Sequence, residues 1–495
     1  MYALLGAAVV LAFVSLYLWH LNRVMAGIPD EVSRASPHRW TPEEIKATYA
    51  KLVKNPIDDR AHLPPKQERR YIVVGGSGLV GGCIILHLLA RGQSPESIRL
   101  VDSRPPVRKD YLDNEAARKI QFCQTDITSN TSTNEAFDKP WPKSVAHLPL
   151  TVIHTAAVIN ASERAKSLLY RCLTVNLDGT INVLSAAKRS GADVFIGTSS
   201  GSVDMRPVDF WIPPWTKWPR RFVQTIGHVD TSAPLRPHEE YFGNYAVSKA
   251  AAEKAIIEAN SPNLRTGVIR PTHGIYGHST DHTLGTYMHM SKVPSWVSPI
   301  VQNFVYSKNV SVAHLQLEAA LTLPTPSPKA AGKSYVITDP NPAISYGDMY
   351  TIIPTIANSS FELQKLPPIP IFLLSYLIEA YTLFQHALPA SLGKLLPTLP
   401  PDIVQLQPTL FNIANCHLIA DDSDARKSVE EGGLGYKGIC TTLEAMCMQI
   451  REWNMEHADG EGTKEQRDTE QKLRGGMEVG DIGAVGLAMG ANTIS

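Results

Sequence analysis

The sequence predicts an α/β fold built on a doubly wound parallel sheet, with an apolar helix at the N-terminus. Strand-like and helix-like patterns alternate from Tyr71 to about Tyr276, which is typical of such a sheet. The first strand runs into a glycine-rich turn, and a run of 19 almost wholly apolar residues, Met1 to Trp19, carries no charge. At 495 residues, the chain is long enough for one large α/β domain with extensions.

The composition excludes several classes of protein. Lysine plus arginine and aspartate plus glutamate both number 47, so no charge excess points to nucleic acid. The six cysteines are scattered and form no C-x-x-C pair, which argues against a zinc site and against a disulfide framework. We therefore expect no metal site and a reducing compartment.

The N-terminal run is long enough to span a bilayer, and we expect residues 1–22 to form a membrane anchor. A cleaved signal peptide is the alternative, but no basic residue precedes the apolar run. Arg23 follows the run, which favours a cytosolic position for the downstream chain. The expectation is a single-pass membrane protein of the endoplasmic reticulum whose catalytic domain faces the cytosol.

Residues 23–69 are predicted to be a linker with one short helix. Thr41 and Glu44 have the spacing of a capping box, and Pro42 stands at the first helical position. The apolar residues that follow are expected on one helical face: Ile45, Tyr49, Leu52 and Val53.

The glycine-rich turn predicts a dinucleotide site. The buried strand from Tyr71 to Val74 is followed by glycines with G-x-x-G-x-x-G spacing and then by a helical pattern. Such a turn lets the backbone approach a pyrophosphate, which the helix N-terminus stabilises. The turn residues are Gly75, Gly76, Ser77, Gly78, Leu79, Val80 and Gly81. Asp102 ends the second strand, 21 residues after Gly81, where a carboxylate can accept hydrogen bonds from a ribose.

Further strands are predicted at Ile120 to Gln124, Leu150 to His154, Asp193 to Ile196 and Arg265 to Arg270. Functional groups are expected at their carboxyl ends, as in other sheets of this architecture. Thr155, Ala156 and Ala157 follow the fourth strand and leave room for a cofactor. Residues 70–276 are thus predicted to form a Rossmann-like NAD(P)-binding domain.

A catalytic group is predicted from Ser200, Tyr245 and Lys249. Tyr245 and Lys249 are four residues apart, so a helix places them on one face. A lysine ammonium beside a phenol is expected to lower the tyrosine pKa from about 10. Such a tyrosine can exchange a proton with a substrate hydroxyl or carbonyl group, to which Ser200 would donate a hydrogen bond.

These residues resemble an extended short-chain dehydrogenase/reductase, specifically the branch of 3β-hydroxysteroid and sterol-4α-carboxylate 3-dehydrogenases. The matching pieces are Gly75 to Gly81, Asp102, Asp126-Ile127, His154 to Ala157, Asn176 to Leu184, Thr198 to Ser200, Tyr245 to Lys249, Arg270 to Gly277, and Leu434 to Gly438 followed by a helical Thr441 to Trp453. The resemblance implies that Ser200, Tyr245, Lys249 and Asn176 are catalytic. It also implies that Asp126 and Ile127 lie by the adenine, and that Thr155 to Ala157, Pro271, His273, Tyr245 and Lys249 contact the cofactor.

The chain departs from the family pattern in two places. Val74 stands where threonine is usual, and the stretch from Ser200 to Tyr245 is longer than expected and rich in aromatic residues and proline. This aromatic insert, residues 201–244, is read either as part of the substrate pocket or membrane interface, or as a self-packed surface loop.

Residues 277–455 are predicted to form a substrate-side subdomain. Within it, the apolar segment 367–388 has one acidic residue, Glu379, and is long enough to span a bilayer. A lone second span would place the matching piece Leu434 to Trp453 on the wrong side of the membrane. A helix lying in the cytosolic leaflet or lining the substrate entrance is therefore favoured. Residues 456–495 are expected to be a disordered tail.

The predicted function is NAD(P)-dependent oxidation of a 3β-hydroxyl on a sterol or triterpenoid-like substrate, with or without loss of a 4-carboxyl group. NAD is favoured over NADP because Asp102 would repel the additional phosphate. The alternatives are a ketoreductase of a polyketide or terpenoid pathway, a nucleotide-sugar epimerase or dehydratase, and an NAD(P)-sensing regulator. The expected partners are a small apolar substrate and a membrane, not nucleic acid, and the sequence leaves open whether the chain forms a homodimer.

Overall fold

The computed structural model describes residues 1–457 apart from 229, 326–327 and 394. The strands, in chain order, are β1 (Arg70–Val74), β2 (Ile98–Asp102), β3 (Gln121–Gln124), β4 (Leu150–His154), β5 (Ala192–Thr198), β6 (Val223–Ile226), β7 (Arg265–Pro271), β8 (Ile275–Tyr276), β9 (Lys292–Ser295), β10 (Val301–Gln302), β11 (Val305–Tyr306), β12 (Lys333–Ile337), β13 (Ile344–Ser345), β14 (Glu362–Lys365) and β15 (His417–Ala420). The α-helices are α1 (Tyr2–Met25), α2 (Asp30–Ala35), α3 (Pro42–Lys54), α4 (Leu79–Ala90), α5 (Lys109–Leu112), α6 (Asn130–Asp138), α7 (Tyr170–Leu173), α8 (Gly179–Arg189), α9 (Asn244–Glu258), α10 (Leu284–Met288), α11 (Ser307–Leu321), α12 (Tyr346–Ile356), α13 (Pro368–Ala387), α14 (Ala390–Gly393), α15 (Pro401–Gln405), α16 (Pro408–Ala414), α17 (Ser423–Arg426) and α18 (Thr442–Glu456).

A seven-stranded parallel sheet forms the centre, in the order β12-β7-β5-β4-β1-β2-β3. Side chains of β1 alternate between two buried layers. Tyr71 and Val73 pack with α4, whereas Ile72 and Val74 pack with α6 and α8. The strand order reverses between β1 and β4, which places the topological switch point beside the glycine turn. The predicted Rossmann-like doubly wound sheet is confirmed.

The seventh strand was not foreseen, because the Rossmann domain was predicted to end at residue 276. β12 pairs with β7 along its whole length, so the sheet takes a strand from beyond that boundary. The preceding helix, α11, is buried on most of its surface between the sheet and α4. It therefore lacks the polar face that would mark a helix in the sequence.

The N-terminal region differs in detail from the expectation. α1 extends to Met25 rather than ending near residue 22, and its last turn packs into the main core. The linker holds two helices, α2 and α3, rather than one. Asp30 and Glu31 in the first turn of α2 favour this short helix, which has too few apolar residues to show periodicity.

α3 has half of the predicted capping box. The Thr41 hydroxyl accepts a hydrogen bond from Glu44 N at 3.2 Å, but the Glu44 carboxylate bonds the His38 ring at 2.7 Å instead. Ile45 and Leu52 are buried as expected, whereas Val53 is exposed.

The C-terminal part returns to the same folded body. A second sheet has the order β13-β10-β15-β6, so β15, which follows α13, pairs with β6 of the aromatic insert. β14, which precedes α13, pairs with β9. Asp339 then joins this region to α18, because it accepts hydrogen bonds from Tyr276 Oη at 2.7 Å and Thr442 Oγ1 at 2.9 Å. The tail predicted to begin at residue 456 lies outside the described residues from 458 onwards.

Two helices of the described part are long and apolar enough to cross a membrane, α1 and α13. They pack against each other, and the first two-thirds of α1 is largely exposed. The aromatic insert contacts both helices. Tyr17 Oη donates to Ile212 O at 3.0 Å, and Trp211 Nε1 donates to Tyr376 Oη at 3.1 Å. The insert is therefore not a loop packed only on itself.

Candidate active site

The glycine turn between β1 and α4 is shaped to admit a ligand against its backbone. Gly75 has φ +82, a conformation that favours glycine, and a Cβ at Gly81 would lie 2.2 Å from the Gly75 carbonyl oxygen. Gly78 is the N-cap of α4, and a Cβ there would meet one atom within 4 Å, Gly75 O at 3.3 Å. The first N–H groups of a helix have no partner within the helix, so this cradle suits a pyrophosphate.

Asp102 lies over the same turn. Its carboxylate accepts hydrogen bonds from Ser77 N at 3.0 Å and Arg104 N at 3.3 Å, and the Ser77 hydroxyl donates to Arg104 O at 2.7 Å. Burial raises the pKa of Asp102, and these hydrogen bonds oppose the rise. A carboxylate has about four acceptor positions, so Asp102 retains capacity for ribose hydroxyls.

The segments after β3 and β4 border the turn. Ile127 is buried against Gly179, where a Cβ would lie 2.8 Å from Ile127 Cδ1, and Asp126 is exposed at the edge of the sheet. Thr155 Oγ1 donates to Val74 O at 3.0 Å and to Gly75 O at 3.1 Å. A Cβ at Gly75 would lie 2.5 Å from the backbone N of Ala156, so the Thr155 to Ala157 segment packs directly on the turn.

Tyr245 and Lys249 lie one turn apart on α9, and both are buried. The predicted lowering of the tyrosine pKa is wrong. Burial raises the pKa of Tyr245 to about 12, and the nearby Ser200 hydroxyl opposes the rise only in part. The causes of the Tyr245 pKa shift do not include Lys249, whose ammonium group donates a hydrogen bond to Thr198 O at 2.7 Å. Burial lowers the pKa of Lys249 itself to about 8.

Ser200 follows β5 and lies beside Tyr245. Its hydroxyl accepts hydrogen bonds from Ser202 N at 3.2 Å and Ser202 Oγ at 2.8 Å, as the cap of a short 3₁₀ turn. The strand end that carries it is held from the opposite side of the sheet, where Thr198 Oγ1 bonds His314 Nε2 at 2.7 Å.

Asn176 joins the segment after β4 to α9. Its amide oxygen accepts from Val158 N at 2.8 Å, and its amide nitrogen donates to Val158 O at 3.0 Å and to Ser248 Oγ at 2.9 Å. The α-helix before it begins at Tyr170, and Asn176 lies in a π-helical turn, Thr174–Asp178, of the kind frequent at functional sites.

Pro271 ends β7 and His273 follows it, on the other side of the site. Tyr346 Oη donates to Gln302 Oε1 at 3.1 Å, so His273 Nε2 is the donor in its 3.0 Å bond to Tyr346 Oη. Burial lowers the pKa of His273 to about 3, which keeps the ring neutral. Its Nδ1 atom is then a bare acceptor, and like the hydroxyls of Ser199 and Thr272 it is buried without a hydrogen-bond partner in the described residues. Such unpartnered groups at the carboxyl ends of β5 and β7 fit a polar ligand.

An ion-pair network behind Lys249 was missed in the sequence. Arg270 donates from Nε to Glu253 at 2.8 and 2.9 Å and from Nη1 to Asp204 at 2.9 and 3.0 Å. Glu253 is four residues after Lys249, so the same i, i+4 spacing that indicated Tyr245 and Lys249 extends to it. The network fixes α9 to β7.

This sheet, the glycine cradle at its switch point and the Ser–Tyr–Lys group define an extended short-chain dehydrogenase/reductase, an NAD-dependent oxidoreductase. The chain belongs to the 3-beta hydroxysteroid dehydrogenase/isomerase family, whose model matches residues 72–209 and 221–363. The family uses NAD, and the cradle and the unpartnered polar atoms fit such a cofactor.

Solved structures share the fold at low sequence identity. The UDP-Glc/GlcNAc 4-epimerase of Campylobacter jejuni is 16% identical, with a TM-score of 0.50 over 78% of this chain and 99% of that one. The epimerase Mth375 of Methanothermobacter thermautotrophicus is 13% identical, with a TM-score of 0.50 over 81% and 95%. MoeE5, in complex with UDP-glucuronic acid and NAD, is 16% identical, with a TM-score of 0.50 over 78% and 99%. These similarities show the fold alone.

Proposed function

We propose that the chain oxidises a 3β-hydroxyl group on a sterol or triterpenoid-like substrate, with NAD as the oxidant. The supporting observation is that Tyr245 belongs to one large cluster of buried apolar residues. The cluster includes Met205 and Phe210 of the aromatic insert, Phe372 of α13 and Phe411 of α16. Aromatic and aliphatic walls suit a large apolar substrate better than the charged diphosphate of a sugar nucleotide.

The residues of the cradle would hold NAD. The turn Gly75 to Gly81 would take the pyrophosphate and Asp102 the adenosine ribose, while Asp126 and Ile127 border the adenine. Thr155 to Ala157, Pro271 and His273 would contact the cofactor between the turn and the reacting centre. Bound NAD would supply the acceptor for the hydride that leaves the carbinol carbon.

The chain's own residues then move the proton. Tyr245 takes the proton of the substrate hydroxyl, and Ser200 donates a hydrogen bond to the same oxygen. With a pKa of about 12, the Tyr245 phenol carries its own proton at neutral pH, so it can take the substrate proton only as it passes this proton to a neighbouring base. In this proposal the base is the neutral amine of Lys249, one turn away on α9, because a pKa of about 8 leaves a fraction of that amine unprotonated at physiological pH. Asn176 keeps α9 in place through Ser248.

A 4-carboxyl group on the substrate would add a second outcome. Oxidation at carbon 3 converts such a substrate into a β-keto acid, which loses carbon dioxide without a further catalytic residue. In this proposal, decarboxylation therefore depends on the substrate and requires no additional residue of the site.

The proposal includes the position of the chain in the membrane. α1 would be the single membrane span, with the catalytic domain on the cytosolic face of the endoplasmic reticulum. α13 would lie in the cytosolic leaflet, because β14 before it and β15 after it belong to the same folded body. A helix whose two flanking strands lie on one side of the bilayer cannot be a lone span.

The test is oxidation of a sterol panel by the full-length protein in vesicles with NAD. We expect NADH formation with 3β-hydroxysterols, none with their 3α epimers, and carbon dioxide release when a 4-carboxyl group is present. Turnover of a UDP-sugar without oxidation of any sterol would contradict the proposal.

A further inference from the structure

α13 packs into the apolar cluster that also contains Tyr245, and its buried side carries a carboxylate. Phe372 packs on Phe210 of the aromatic insert and on Phe411, with ring centroids 5.2 and 4.8 Å apart, in the cluster that contains Tyr245. Glu379, two turns further along α13, is 9% exposed. A carboxylate on the buried side of an apolar helix is costly unless it is paired.

The partner of Glu379 is Arg164, which binds it in a bidentate ion pair. Arg164 Nε and Nη2 each donate to one carboxylate oxygen at 2.7 Å, and the guanidinium lies 5.7 Å from the centre of the Tyr376 ring. The pair raises the pKa of Arg164, with the Glu379 hydrogen bond as the largest cause. Two parallel hydrogen bonds fix orientation as well as distance.

The backbone beside Arg164 is tied to the first residue of the catalytic helix. Asn244 N donates to Glu163 O at 2.8 Å, and Asn244 Nδ2 donates to Ala165 O at 2.9 Å. Asn244 directly precedes Tyr245 on α9. The Arg164–Glu379 pair therefore connects α13 to the start of the helix that carries the catalytic phenol.

The outer side of α13 is apolar and exposed over four residues, Leu373, Leu374, Leu377 and Phe384. It is continuous with α1, which packs on α13 and exposes its own apolar residues. Trp215 is 85% exposed, four residues after Trp211, which bonds Tyr376 of α13. A long apolar helix flanked by exposed tryptophan fits a lipid bilayer, whereas a protein partner would leave the exposed surface of α1 uncovered.

We propose that α13 is a lid over the substrate site, that its exposed side docks on a lipid bilayer, and that the Arg164–Glu379 pair latches it closed. This inference rests on the proposed oxidation of a membrane-borne substrate, for which opening at the bilayer gives a path that avoids water. The latch connects the lid to the start of α9, so a closed lid and an ordered catalytic helix occur together.

Hydrogen exchange of the full-length protein in phosphatidylcholine vesicles tests the latch without any substrate. Glu379→Gln and Arg164→Gln are each expected to accelerate exchange of amides 368–387 about tenfold, because each removes one partner of the pair. Asp422→Asn is the matched control. Asp422 and Arg426 form a bidentate pair of similar exposure that does not contact α13, and its loss should leave α13 exchange unchanged. Unchanged exchange of α13 in both latch variants, or an equal acceleration across β1 and β4 in the centre of the sheet, would overturn the latch.

A fluorescent label on Leu374→Cys tests the occupant of the exposed side. The six native cysteines are buried, so the introduced thiol can be labelled selectively. Lipids carrying a nitroxide in the acyl chain are expected to quench this label, but not a label on Glu135→Cys, which is exposed on α6. No quenching at residue 374, or protection that depends on protein concentration and not on lipid, would overturn the bilayer assignment. Because neither readout uses a sterol, both hold even if the substrate proposal fails.

Discussion

The substitution Lys249→Met is expected to stabilise the protein at neutral pH while it abolishes turnover. Lys249 is buried, and burial lowers its pKa from 10.5 to about 8. The folded protein therefore keeps a charged ammonium in an unfavourable place at pH 7. Methionine has a similar length and no charge, so it fills the same space without that cost.

The magnitude follows from the pKa of the folded and unfolded states. The difference between 10.5 and about 8 corresponds to about 3 kcal/mol of lost stability at pH 7. The variant also loses the hydrogen bond from Lys249 Nζ to Thr198 O. This loss reduces the gain in stability by about 1 kcal/mol. The net gain is about 2 kcal/mol, or about 2 °C in Tm for a chain of this size.

The sign of the pH dependence is specific. Between pH 8 and 10.5, the unfolded chain binds the lysine proton more strongly than the folded protein does, so wild-type stability rises with pH in that window. The variant lacks this rise. Its advantage should be largest below pH 8 and should disappear by pH 10.5. Thermal unfolding of both proteins in the same detergent from pH 6 to 10.5 measures the Tm difference. Parallel Tm profiles would show that the charge of Lys249 does not destabilise the folded protein.

Three further substitutions or truncations test the site and the anchor. Tyr245→Phe should leave NADH binding intact and lower turnover about a hundredfold, as loss of acid–base catalysis does; turnover within a few fold of wild type would exclude Tyr245 as the proton-transfer group. Asp102→Ala should reduce the preference for NAD over NADP in kcat/KM, because the carboxylate repels the additional phosphate; an unchanged ratio would show that Asp102 does not read the ribose. Deletion of residues 1–19 should leave the fold intact and reduce sedimentation with membranes after a high-salt wash, and full retention in the pellet would mean that α13 is itself a stable membrane element.

The sequence predicted the parts of the fold that have a clear local signature. The strands of the first half are buried apolar runs, and the glycine turn requires small residues at fixed spacing, so β1 to β5 and β7 could be located. β12 could not be located, because α11 before it is buried on most sides and shows no helical periodicity. The alternation of strand-like and helix-like segments, by which the earlier strands were located, therefore breaks off before β12.

The sequence predicted which residues form the candidate site, but it did not predict their burial or their hydrogen bonds. Tyr245 and Lys249 lie on one face of α9 as their spacing indicates. The spacing does not indicate that both side chains are buried or that Lys249 bonds Thr198 O, and these features set their pKa values. Arg164 also had no sequence signal, since its partner Glu379 is more than two hundred residues away.

The most direct test of the central claim follows the hydrogen that is removed from the substrate. A 3β-hydroxysterol with deuterium on carbon 3 is incubated with the full-length protein in vesicles and NAD, and the NADH product is analysed by mass spectrometry. Deuterium is expected in the NADH formed by the wild-type protein, and its transfer should fall together with turnover in Tyr245→Phe. NADH without deuterium, or a 3-ketone formed with no NADH, would exclude hydride transfer from carbon 3 to NAD.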